Sequence, residues 1–307
     1  MIRSAVEFFA SGGRVLQRLW KPKFDPHRPE RVYREFDEQK GFAAYNNFCR
    51  LQYSGDRLPQ PGSLAIAGLE FLDVMSPETA QRMLESIGKN APLTQVKKNT
   101  YNLEGFRIQD PAEIRRILTD ALPAAVTGRA EAYFASHFLV YWFTVSRTAP
   151  ADHQKSVSFR WHCDKGPRQH LKLLIYLNAT AEHGGNTAFL SSEHSGVAAT
   201  LGYLFGPTRR RDEDLAELSR RAGRTLKETC REMSAGQGVL FQPATVLHRG
   251  VSPSRGPRYV LTLCLLPSPV PWQEALRRGA IVDLADDEKW PAHANELLVA
   301  LGMEKLG

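Results

Sequence analysis

The chain has 307 residues, 42% hydrophobic and 24% charged, with a formal net charge of +7. This is the balance of a soluble globular protein and excludes a disordered chain; the positive excess favours an anionic partner such as phosphate, lipopolysaccharide, acidic lipid or nucleic acid. The four cysteines, Cys49, Cys163, Cys230 and Cys264, include no CxxC pair, which argues against a disulfide framework or a zinc ribbon and fits a reducing compartment.

No apolar run approaches the roughly 20 residues that span a bilayer. Glu7, Gly12, Gly13 and Arg14 stand where a signal peptide would be apolar, so a cytoplasmic protein with neither export signal nor transmembrane anchor is expected. On a helical period Val6, Phe9, Ala10, Gly13, Leu16 and Trp20 line one face, and Arg3, Glu7, Arg14, Arg18 and Lys21 line the other. That stripe suits either a helix docked on its own core or an interfacial helix on an acidic surface, such as the inner face of the cytoplasmic membrane. Residues 24–62, rich in proline, charge and aromatics, read as an extended arm, so 1–62 forms an N-terminal amphipathic segment and arm.

Helices come next. MSPETAQRMLESIGKN has Ser76 as N-cap, Pro77 at the first position and Gly88 near the stop, and DPAEIRRILTDALPAAVTGRAEAYFASHF supplies one or two more. The period then changes to that of strands in HFLVYWFTVSR, SVSFRWHCD, HLKLLIYLN, NTAFL, GVAATLGYLF, GQGVLFQ, TVLHRGV and RYVLTLCLL. Helices first and short strands afterwards predict an α+β chain, its catalytic part over 63–270 a closed or sandwiched antiparallel sheet, most simply a jelly roll. A charged, helix-prone insert at 207–233 interrupts the strands and carries Arg209, Arg210, Arg211, Arg220, Arg221, Arg224, Lys227 and Arg231. It reads as a solvated face or as a receiver of anionic substrate groups at the barrel mouth. Residues 271–307 form a C-terminal helical extension.

In FRWHCDK, alternation along a strand projects His162 and Asp164 to one side while Trp161 and Cys163 point to the other. An imidazole and a carboxylate side by side suggest two ligands of one metal. His248, several strands later, is the best third ligand, because distant strands of a barrel converge. Two imidazoles and one carboxylate on one face of an octahedron leave three positions open, the arrangement suited to non-haem Fe(II). Arg258 follows ten residues after His248, past the Gly256-Pro257 turn, where a guanidinium can grip a carboxylate with two prongs. Arg255 competes for that role, but Arg258 and Thr262 share a strand face.

His162-Cys163-Asp164, His248 and Arg258 together resemble the HxD…H…R signature of the Fe(II)/2-oxoglutarate-dependent dioxygenases. YLNATAEHGGNTAFL, from Tyr176 to Leu190, resembles a segment of the prolyl-hydroxylase-like and phytanoyl-type branches, and the match covers roughly Ser136 to Pro267. The resemblance implies a double-stranded β-helix, a cupin-like barrel buttressed by N-terminal helices. It implies Fe(II) held by His162, Asp164 and His248, with 2-oxoglutarate and dioxygen as co-substrates and Arg258 on the distal carboxylate. Tyr141, Asn178 and Thr187 are candidates to support the co-substrate, whereas Tyr176, His183 and His194 read as loop or barrel residues. Related halogenases carry a small residue where Asp164 stands, so hydroxylation of an unactivated C–H bond is implied. In size, motif order and peripheral membrane character the chain is also similar to the Kdo hydroxylases of bacterial lipopolysaccharide, which implies an anionic sugar or glycolipid substrate. A small-metabolite or protein hydroxylase stays open, as does a cupin-type metal-binding module without 2-oxoglutarate. No helix-turn-helix, zinc-finger or RNA-recognition pattern supports a nucleic-acid partner.

Overall fold

The computed structural model describes residues 24–53, 63–95, 102–150, 157–207, 210–280, 283–284 and 289–307. The amphipathic stripe of residues 1–20, the end of the arm at 54–62 and Arg209 lie outside them. The strands are β1 (Leu69–Asp73), β2 (Leu93–Gln95), β3 (Leu103–Phe106), β4 (His137–Thr148), β5 (Leu171–Tyr176) and β6 (Asn186–Leu190), then β7 (Glu228–Thr229), β8 (Gln237–Phe241), β9 (His248–Val251), β10 (Arg258–Ser268) and β11 (Asp283–Leu284). Eight form one sheet in the order β1-β8-β5-β10-β4-β3-β2, with β11 beside β4; three form a second in the order β7-β6-β9. Between β5 and β10 the chain crosses from one sheet to the other four times, the winding of a double-stranded β-helix.

The two-residue period sorts the larger sheet. Leu261, Leu263 and Leu265 of β10 and Leu171, Leu173 and Ile175 of β5 join an outer core with Met83, Ile87, Ile117 and Leu118 of two helices. Helix Pro77–Asn90 starts where Ser76 Oγ accepts from the Thr79 N–H at 3.2 Å, and helix Pro111–Ala121 where Asp110 accepts from the Ala112 N–H at 3.0 Å. Each cap satisfies a backbone donor that the first turn leaves unpaired. The buried Ala80, Met83 and Ile87 recur at helical spacing, so one face of Pro77–Asn90 seals the sheet. Alternate residues of the strands face inward across the sandwich, where Phe189 of β6 meets Phe241 of β8 at 5.0 Å between ring centres.

Four sequence expectations change. The arm, over its described part, is helical at Arg28–Arg34 and Phe42–Leu51, because Phe42, Tyr45 and Cys49 recur on one helical face and are all buried. GVAATLGYLF is not a strand: helix Ser192–Thr200 covers its first half, begun by Ser191 Oγ accepting from the His194 N–H. SVSFRWHCD, over its described residues from Val157, contains only a 3-10 turn at Val157–Phe159 and a single bridge at His162. The charged insert is helical only at Ala216–Ala222 among its described residues, and its Glu228–Thr229 supplies β7 to the smaller sheet. All four cysteines are free, and among the described residues no helix is long and apolar enough to cross a membrane.

Candidate metal centre

His162 reaches the smaller sheet by one antiparallel bridge to His248, with reciprocal N–H to carbonyl bonds of 3.0 Å in each direction. The neighbouring amides find partners elsewhere: Trp161 N–H donates to Asp212 O, Cys163 to Leu204 O and Asp164 to Pro243 O, at 2.9, 3.0 and 2.8 Å. The segment is therefore extended and alternating without a ladder. Trp161 and Cys163 join the core outside the smaller sheet, while His162 and Asp164 turn inward to meet His248.

One donor atom from each of His162, Asp164 and His248 lies within 4.8 Å of the others. Nε2 of His162 is 3.6 Å from Asp164 Oδ1, and Nε2 of His248 is 3.5 Å from Oδ2. The other ring nitrogens point away: His162 Nδ1 sits 2.6 Å from Arg160 O and His248 Nδ1 2.9 Å from Val246 O. A carbonyl only accepts, so Nδ1 carries the proton and each Nε2 presents its lone pair to the centre. The Phe241 ring stands edge-on to His248 at 5.0 Å and fixes its plane.

Electrostatics favour the ligand form of His162 and Asp164. Burial, joined by the neighbouring His248, pushes His162 down to about 3, with Asp164 pulling the other way. Burial alone would raise Asp164, but Lys172 and then the two histidines outweigh it and hold the carboxyl well below its ordinary range. Lys172 Nζ is 2.9 Å from Asp164 Oδ2. The sequence reading passed over this lysine; the available signal was a cation on the inward face of an apolar strand, sharing β5 with Leu174 and Tyr176.

Arg258 opens β10 and points inward. Its Nη1 donates to Asn186 O, and its Nε is shut off from solvent without a hydrogen-bond partner. Burial of its guanidinium lowers its pKa from the usual value, and the largest opposing influence is Tyr176. The Tyr176 hydroxyl lies 3.0 Å from Asn186 Oδ1 and 3.1 Å from Thr187 Oγ1, so Tyr176 and Thr187 belong to the same polar corner as Arg258. Tyr176 was expected to be a barrel residue only. Arg255 is exposed and donates instead to Ala181 O at 2.8 Å.

Tyr141 and Asn178 are committed elsewhere. The β4–β10 register shifts between Cys264 and Leu265, leaving Tyr141 unopposed between Val140 and Trp142. Its hydroxyl bonds Lys289 O, and its ring stacks on Trp290 with centroids 5.0 Å apart. Asn178 donates to Pro257 O at 3.0 Å and accepts from the Tyr259 N–H at 2.9 Å, clamping the backbone on both sides of Arg258. His183 Nδ1 accepts from the Gly185 N–H, and His194 Nδ1 from the Lys227 N–H. Trp290 also anchors the loop beyond Asp164: its Nε1 donates to Lys165 O at 2.8 Å, and a Cβ on Gly166 would lie 2.6 Å from the indole.

No protein-family model matches this sequence, and no curated protein matches it. Solved structures do. The non-haem α-ketoglutarate-dependent epimerase SnoN from nogalamycin biosynthesis is 12% identical over 73% of this chain and 84% of its own, with a TM-score of 0.44. EctD from S. alaskensis with bound Fe is 14% identical over 77% and 84%, with a TM-score of 0.46. HygX from Streptomyces hygroscopicus with nickel and 2-oxoglutarate is 14% identical over 67% and 85%, with a TM-score of 0.43.

Proposed function

We propose that the protein is an Fe(II)- and 2-oxoglutarate-dependent dioxygenase that hydroxylates an unactivated C–H bond. The observation that carries this is a pairing: two imidazoles and a carboxylate converge on one point, and a half-buried arginine whose Nε is shut off from solvent without a partner faces into the same sandwich. The donor set suits divalent iron, since two nitrogens and one oxygen from the protein leave room for a bidentate keto acid and dioxygen. Bound there, the iron supplies oxidative decarboxylation of 2-oxoglutarate to succinate coupled to substrate oxidation. His162, Asp164 and His248 would hold it. Arg258 would take the distal carboxylate through charge-assisted bonds, with Tyr176 and Thr187 beside it. Asn178 fixes the backbone that presents Arg258.

For the substrate we favour an anionic sugar or glycolipid, such as the sugar acid Kdo of lipopolysaccharide, met at an acidic membrane surface. Two features support an anion. The chain carries a net charge of +7, and Arg28, Lys165 and Arg211 lie within electrostatic range of one another, Arg211 also of Asp164. The test is anaerobic loading followed by a mass-spectrometric substrate screen. The expected results are one Fe(II) per chain, lost in His162→Ala and His248→Ala, and a product heavier by one oxygen that requires both iron and 2-oxoglutarate. Metal binding without 2-oxoglutarate turnover on any substrate would favour a metal-binding barrel of the cupin type.

A further inference from the structure

Both oxygens of Asp164 face an imidazole nitrogen, Oδ1 at 3.6 Å from His162 and Oδ2 at 3.5 Å from His248. The three ligands alone therefore leave this carboxylate free to grip a metal through one oxygen or through both. What distinguishes the two is Lys172, whose Nζ lies 2.9 Å from Oδ2. The same ammonium sits 4.9 Å from the centre of the Trp142 ring, with 11% of the lysine side chain exposed, so its charge is held between an aromatic face and the carboxylate. An inward lysine is costly to bury in an apolar strand.

Counting positions gives the pair a consequence. An octahedral ion held by two imidazoles and one carboxylate oxygen keeps three positions, two for a keto-acid chelate and one for dioxygen. A carboxylate bound through both oxygens takes a fourth position and leaves room for the chelate alone. We propose that Lys172 is a positioning residue that occupies Oδ2 of Asp164, restricts this ligand to one oxygen, and so keeps the dioxygen position open. Through this 2.9 Å ion pair the ammonium draws negative charge toward itself from Oδ2 and repels a cation from that side. The inference rests on the iron reading above and adds to it a residue outside the ligand set.

Two measurements on the full chain test it. In a crystal structure of the wild type with Mn(II), the metal should touch Asp164 through one oxygen while Lys172 Nζ remains on the other. In solution, wild type and Lys172→Met are loaded with Fe(II) and 2-oxoglutarate without oxygen. Both are titrated with nitric oxide as a stand-in for dioxygen, read by electron paramagnetic resonance. The methionine keeps the stem and removes the charge, so 2-oxoglutarate should still bind while nitric oxide affinity falls about tenfold or more, the scale of lost support to a metal ligand. Lys172→Arg should restore most of it. Equal nitric oxide affinity in wild type and Lys172→Met overturns the proposal, as does failure of Lys172→Arg to recover. Mn(II) held by both oxygens in the wild type, or Lys172 displaced from Asp164, overturns it even where the methionine variant does not fold. A wild type that takes up neither Fe(II) nor Mn(II) overturns the iron reading and this role together. Metal uptake with failure only in the Lys172 comparisons overturns the role alone.

Discussion

Replacing Arg258 by methionine should separate stability from binding in opposite directions. The guanidinium makes one bond, to Asn186 O, and its Nε has no partner. Losing the bond costs about 0.5–1.5 kcal/mol, while removing a half-buried, incompletely paired cation relieves part of the cost of taking it out of water. The ligand-free variant should therefore be at least as stable as wild type. For 2-oxoglutarate the sign reverses: a charge-assisted bond to a buried carboxylate contributes about 1.5–3 kcal/mol, roughly 10- to 150-fold in Kd. Thermal denaturation with Mn(II) reads both effects. At 2-oxoglutarate about 100 times the wild-type Kd, linkage stabilises wild type by about 2.7 kcal/mol, and a Kd about 100-fold weaker reduces that to about 0.4 kcal/mol. The expected pattern is an unchanged or raised Tm without 2-oxoglutarate and a nearly vanished ligand shift. A variant that keeps the full shift would refute the co-substrate role, and one that unfolds early would show the guanidinium to be a structural strut.

Acid should destabilise the chelator-treated protein. His162 sits at about 3 when folded, against about 6.5 in an open chain, so between those values the unfolded state binds more protons and stability falls as the pH is lowered. The slope from this residue approaches about 1.4 kcal/mol per pH unit, measurable as urea midpoints between pH 7 and 5; a flat profile, or one unchanged in His162→Gln, would contradict the burial argument. Gly166→Ala places a methyl 2.6 Å from the Trp290 ring and 3.0 Å from the His170 ring. Overpacking of this kind costs about 1–3 kcal/mol, so Tm and metal affinity should drop together and recover in the double variant with Trp290→Leu. Undiminished metal affinity in Gly166→Ala would detach this contact from the ligand loop.

The convergence of His162, Asp164 and His248 was legible because these residues are close in sequence or fall on regular strands. His162 and Asp164 are two residues apart, and His248 and Arg258 open β9 and β10, where alternation decides the inward face. What was not legible depends on partners distant along the chain. FRWHCDK has a strand's alternation, but its amides bond Asp212, Leu204 and Pro243, which no periodicity announces. Tyr141 lay on a well-read strand whose register shift leaves it unopposed, to be met by Trp290. Lys172 looked like one polar position in an apolar run, and only the fold brings Asp164 to it. GVAATLGYLF shows the familiar ambiguity of short apolar runs, resolved here by a serine cap just upstream.

That single bridge between His162 and His248 gives the molecule an unequal architecture around its centre. The larger sheet is zipped by long ladders and sealed by helices, whereas residues 160–164 are tethered amide by amide to separate places. An ion gripped by His162, Asp164 and His248 would act there as a staple, tying residues 160–164, which few backbone bonds hold, to the start of β9. Loading the ion should slow hydrogen exchange in this stretch more than in β5 or β10. Stripping it should loosen the mouth of the barrel while its floor stays closed.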